Sequence, residues 1–117
     1  MSEIVKTGPE VIVRIGQFVR ALEKFCNEVN QCKHLYAIVL EAEVGKKYAR
    51  IVRRDKWPDQ APTGGSAHCF IDLANGNILK ADGWKRPAPQ IRGNIFKDDF
   101  DIGPGKAVGE FGAAYLR

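Results

Sequence analysis

From Val11 to Val29 apolar side chains recur at alternating intervals of four and three: Val11, Ile15, Phe18, Leu22, Phe25 and Val29. Arg14, Arg20, Glu23, Lys24 and Glu28 fall mostly between them. That period lays one apolar stripe along an α-helix of roughly five turns. Ahead of it, Thr7-Gly-Pro-Glu10 has the spacing of a capping box, with Thr7 as N-cap, Pro9 in the first turn and Glu10 reaching back to the Thr7 amide. The pattern predicts a helix weakened at its centre by Gly16, its stripe packed into the core and open to sharing with a second subunit.

Past Asn30 the period changes. Tyr36, Ile38, Leu40 and Ala42 alternate as a strand does, whereas Leu35, Val39 and Ala42 would also suit a short helix, so the pattern over 35–43 admits both. The strand-like Tyr48–Val52 favours a hairpin turning across Val44-Gly45-Lys46. Residues 55–65, DKWPDQAPTGG, read as a loop. SAHCFID and NILKA flank Ala74-Asn75-Gly76, and Asn-Gly between strand-like runs predicts a hairpin of 66–73 with 77–82 around a type I′ turn. DGWKRPAPQIRGNIF, 82–96, shows neither period, and the closing VGEFGAAYLR offers a final strand. There is no internal repeat. The expected fold is α+β, a single domain over 1–117 with the long N-terminal amphipathic helix packed on a small antiparallel β-sheet.

Composition leaves that picture standing: 117 residues support one core, and with 44% hydrophobic and 27% charged residues no apolar run approaches the ~18 residues of a membrane span. MSEIVKTGPE lacks the apolar run and cleavage site of a secretory signal, so a cytoplasmic protein without a membrane partner is expected. Cys26, Cys32 and Cys69 cannot all pair and form no CxxC, and are read as reduced thiols. Charge changes more. Between Lys80 and Lys97 five cations face one anion, Asp82, which equals the net +4 of the whole chain. A second basic run, KKYARIVRRDK over 46–56, is compensated elsewhere. Concentrated cations point to an anionic partner.

Cys26, Cys32, His34, His68 and Cys69 fit no zinc spacing, so neither metal nor cofactor is expected. His68 and Cys69 are adjacent, and adjacent strand residues point to opposite faces, which makes them an awkward dyad. Asp98, Asp99 and Asp101 form an acidic turn of the solvated kind, and Gly103-Pro-Gly105-Lys106 lacks the frame of a phosphate loop. No catalytic residue is assigned and the chain is not read as an enzyme. What remains is the stretch 82–96. Trp84 offers a face for stacking, Arg86 and Arg92 can engage phosphate bidentately, Lys80 and Lys85 add charge, and Asn94 suits a base edge or ribose. The competing structural reading has Trp84 in the core, over Ile91, Ile95 and Phe96.

CFID (Cys69–Asp72), ILK (Ile78–Lys80), Trp84-Lys85 with Pro87-Ala88, RGNI (Arg92–Ile95) and the terminal YLR (Tyr115–Arg117) together look like a group of small phage proteins. Within it the chain resembles the phage sponge proteins of the Tad family that counter the Thoeris defence system. The resemblance spans Cys69–Phe96 and the tail, and the N-terminal helix matches in kind only. It implies an oligomer that binds cyclic ADP-ribose-type signals, or cyclic oligonucleotides, uncleaved at subunit interfaces, blocking antiviral signalling in the infected cell. It also implies that Trp84 and Asn94 contact the ligand; the role of Arg117 is left open, though a terminal YLR would suit a phosphate clamp donated across an interface. Two other readings are a single-stranded nucleic-acid module stacking bases on Trp57 and Trp84, and a small nucleotide hydrolase.

Overall fold

A computed structural model describes residues 9–30, 35–103, 108–109 and 112–113, with only the backbone described at 9, 109, 112 and 113. The expected cap at Thr7 lies outside them. Helix α1 runs Pro9–Val29, continuing through Gly16. Val11, Ile15, Phe18 and Leu22 are buried as the period requires. The last turn departs from the expected stripe: Cys26 is fully buried, Phe25 only packs on the flank and Val29 is exposed.

Five antiparallel strands follow as a meander in the order β1-β2-β3-β4-β5: β1 Ala37–Val44, β2 Tyr48–Lys56, β3 Thr63–Asp72, β4 Asn77–Ala81 and β5 Pro87–Asn94. The fold is α+β, with α1 packed on one sheet face. Residues 37–44 are strand, and β1 and β2 turn through 45–47 with Val44 opposite Ala49. Ile38, Leu40, Ala49, Ile51, Cys69, Ile71 and Ile78 meet the helix stripe, and Ile95 and Val108 complete the core. The stripe is therefore consumed within the chain and does not supply a subunit interface. Val108–Gly109 (β6) and Gly112–Ala113 (β7) pair as a separate two-stranded sheet lying against β3 and β4 rather than extending the main one.

Three expectations need correction. The loop over 55–65 shrinks to 57–62, because Asp55 and Lys56 extend β2 and Thr63, Gly64 and Gly65 open β3. The β3–β4 turn is not type I′. Only Gly76 (φ 79°) is left-handed there, and Asp72 closes a wider turn, its carbonyl accepting from the Gly76 amide (2.8 Å) and its Oδ1 from the Ala74 amide (2.8 Å). Half of the aperiodic 82–96 is strand. Its pairing with β4 shifts register twice, between Ile78 and Leu79 and between Leu79 and Ala81, so β5 advances more residues than its partner and loses the two-residue period. Pro87 and Pro89 are tolerated because β5 is an edge strand, whose outer side needs no N–H.

The opposite edge, β1, is covered by helix side chains. Asn27 Nδ2 donates to the Ile38 carbonyl (2.9 Å), Asn27 Oδ1 accepts from the Ile38 amide (2.8 Å), and Glu23 Oε2 accepts from the Leu40 amide (2.8 Å). These contacts satisfy edge groups that would otherwise invite another strand. Asn27→Ala strands both polar groups of Ile38, a residue almost wholly out of solvent. A loss of about 2 kcal/mol in urea denaturation, with faster amide exchange at Ile38, is expected. No described helix is long and apolar enough to cross a membrane.

Candidate functional site

Strands β3 and β4 pair only beside their turn, at Phe70↔Leu79 and Ile71↔Ile78. Farther from it, β3 follows β2 and β4 follows β5, and each ladder is bulged there, between Ile51 and Val52, between Arg53 and Asp55, and between Leu79 and Ala81. The two strands part. Gly65, Ser66 and Ala67 on one wall and Ala81, Gly83 and Trp84 on the other line an open cleft of about 390 Å³. Small side chains leave that space, and walls not laddered to each other turn backbone polar groups toward it. Gly83 (φ 89°) sits in the β4–β5 turn, which the Asp82 amide closes on the Arg86 carbonyl at 2.9 Å.

Trp84 is not a core residue. It is 40% exposed and borders the cleft, while the Arg50 guanidinium lies 3.9 Å from its ring centre and Arg50 Nη1 donates to its carbonyl at 3.0 Å. A cation on one face of an indole is attracted by the ring's quadrupole and fixes its orientation. The core alternative fails further in that Ile91, expected beneath Trp84, is exposed, whereas Ile95 and Phe96 pack with the main core.

The other residues singled out divide by position. Lys85 and Arg86 share the turn with Trp84 and are exposed; Arg86 faces Asp82 at 3.9 Å, a contact too open to neutralise it. Lys80, on β4 just before Ala81, is half-buried. Arg92 sits in the bulged part of β5, its Nη1 donating to Gln90 Oε1 at 3.2 Å. Asn94 is not brought to the cleft. It pairs with Asn77 at the turn end of β4, about 13 Å of strand from Ala81. Its amide is engaged locally: Nδ2 donates to the Asn75 carbonyl (3.0 Å) and Asn77 Oδ1 (2.9 Å), and Oδ1 accepts from the Phe96 amide (2.7 Å). Lys97 turns to Asp101, 2.9 Å away. Arg117 lies outside the described residues.

Sequence reasoning missed Arg50 and the Gly65–Ala67 wall. Arg50 belongs to the basic run set aside as compensated. The signal was in its phase: Ala49 and Ile51 must face the core, which turns Arg50 to the other side.

Among the described residues that line the cleft, Ser66 supplies the one side-chain hydroxyl and none is ionisable. Among the described residues no group of His, Cys, Asp and Glu is placed to hold a metal ion. Cys69 is in the core and His68 beside it is buried. Burial pushes the Cys69 thiol far above its usual range, and the neighbouring Cys26 adds to the shift, so it remains protonated rather than nucleophilic. The folded chain thus keeps a proton that the unfolded chain releases above about pH 8.5. This contribution to stability is complete below that pH and falls by about 1.4 kcal/mol per unit above it. Denaturation at pH 8 to 10 should show that extra slope in the wild type and its absence in Cys69→Ala.

A model of a family of unknown function, DUF7717, matches residues 4–101, a span that holds both cleft walls. No curated protein and no solved structure matches the chain.

Proposed function

The chain belongs to DUF7717, a family of unknown function, and from its cleft we propose that it binds a small anionic nucleotide-derived molecule and holds it without cleaving it. The observation that carries this reading is Trp84, with Arg50 on its ring and its exposed surface on the cleft. A purine or nicotinamide ring stacked there gains about 1–3 kcal/mol. Its polar edge meets the backbone of the opposite wall, and its phosphates meet Lys85 and Arg86 at the mouth, with Lys80 and Arg92 adding longer-range attraction. Capture needs no base, and the described lining residues offer none beside the Ser66 hydroxyl.

The resemblance to phage sponge proteins narrows the class to cyclic ADP-ribose-type signals or cyclic oligonucleotides, bound in the cytoplasm of an infected bacterial cell to silence defence signalling. A second copy closing the open mouth belongs to the same proposal, and light scattering with and without ligand measures it. Calorimetric titration with cyclic ADP-ribose isomers, cyclic dinucleotides and a single-stranded oligonucleotide tests the whole. Saturable binding of a cyclic nucleotide, released by heat with unchanged mass, supports it. Failure of every cyclic nucleotide to bind, or recovery of a cleaved product, contradicts it. Affinity that grows with strand length and falls steeply with salt points instead to a nucleic-acid module.

A further inference from the structure

No ladder fixes the distance between the cleft walls, because β3 and β4 are unpaired where the cleft lies. Something else must. On the reading of the cleft as a ligand site, we propose that Arg50 and Arg54 are positioning residues that each tie down one wall, and that Glu43 and Glu41 of β1 hold them in place.

The two arginines share the face of β2 turned away from α1, separated by about 13 Å of strand with the fully buried Val52 between them. Arg50 gives Nε and Nη2 to Glu43 Oε1 and Nη1 to the Trp84 carbonyl. Arg54 gives Nε to Glu41 Oε1 (2.8 Å) and Nη1 to the Gly64 carbonyl (2.6 Å). One arginine therefore reaches the β4–β5 turn and the other the start of β3. The Arg54 guanidinium lies so close over the second wall that a Cβ on Gly65 would stand 3.0 Å from its Nη1. Arg50 has three of its five N–H groups on protein acceptors, through Nε, Nη1 and Nη2, and Arg54 has two, through Nε and Nη1, which fixes the plane of each guanidinium. The carboxylates are half-exposed, 44% for Glu43 and 55% for Glu41. Exposed pairs of this kind add little to global stability, so their effect falls on local geometry.

The test uses Trp57→Phe as background, which leaves Trp84 the sole tryptophan of the two in the chain. In that background Arg50→Met is expected to raise acrylamide quenching of Trp84 about twofold, with Arg50→Lys in between and Glu43→Gln following in the same direction. Arg54→Met is expected to leave Trp84 quenching unchanged and to speed amide exchange at 64–66 about tenfold. Thermal midpoints should stay near the parent's, and affinity for cyclic ADP-ribose should fall about tenfold in either arginine variant. Unchanged quenching in Arg50→Met, unchanged exchange in Arg54→Met, or both changes arriving with a collapsed midpoint would overturn the assignment. These readouts need no ligand. If cyclic ADP-ribose fails to bind the parent while quenching and exchange change as expected, the ligand reading fails and the positioning role stands.

Discussion

Trp84→Ala is expected, on the proposed capture of a cyclic nucleotide, to weaken binding of that ligand roughly thirtyfold, matching the loss of ~2 kcal/mol of base–aromatic stacking. The thermal midpoint should barely move. Trp84 sits on a turn, outside the buried cluster of α1 and the sheet, so its removal opens no core cavity. Arg50 keeps its bonds to Glu43 and, through the Trp84 backbone, to the turn. Trp84→Phe retains a flat face and should recover most of the affinity. Calorimetry and thermal unfolding on the three proteins check this, and a large fall in midpoint with Trp84→Ala would mean that the ring is structural.

Gly76→Ala is expected to have the opposite profile, a stability loss of about 3 kcal/mol with ligand affinity retained in whatever fraction remains folded. At φ 79° the residue lies where an L side chain is strained. A Cβ there would also stand 2.8 Å from two Phe96 ring carbons and 3.0 Å from Ile95 Cγ1. Ile95 cannot yield cheaply, since it is fully buried and its amide donates to the Gly76 carbonyl at 3.0 Å, and the Phe96 ring would have to leave its packing against the core. The midpoint should fall by on the order of 10 °C.

How far the chain could be read in advance depended on whether each feature was local. The period of α1 is local, and four of its six expected stripe positions are buried. The second hairpin was legible from Asn-Gly between strand-like runs, although Gly76 alone needed the left-handed conformation. β5 was hidden because its bulges erase the alternation that marks a strand. Asn94 looked like a recognition group, but its amide completes the β3–β4 turn and the start of the segment after β5.

The cleft could not be read at all. It exists because two strands adjacent in sequence stop pairing partway along, a consequence of bulges in the ladders on either side of them. Arg50 was passed over because charge was balanced along the chain rather than across the sheet. Glu43 and Arg50 are partners in the β1–β2 register, so the balancing carboxylate for this cation was already fixed by the hairpin. What the sequence did carry was the neighbourhood: Trp84, Lys85 and Arg86 occupy one turn at one end of one cleft.

The most direct measurement is the pair of indole N–H resonances from Trp57 and Trp84, followed in ¹⁵N-labelled protein while cyclic ADP-ribose isomers and cyclic dinucleotides are added. Trp57→Phe assigns them. With a ligand that binds, the Trp84 resonance should move in step with calorimetric saturation while that of Trp57, on the β2–β3 loop, stays in place. A Trp84 resonance that no cyclic nucleotide moves, or binding that moves Trp57 alone, would contradict the assignment of the cleft.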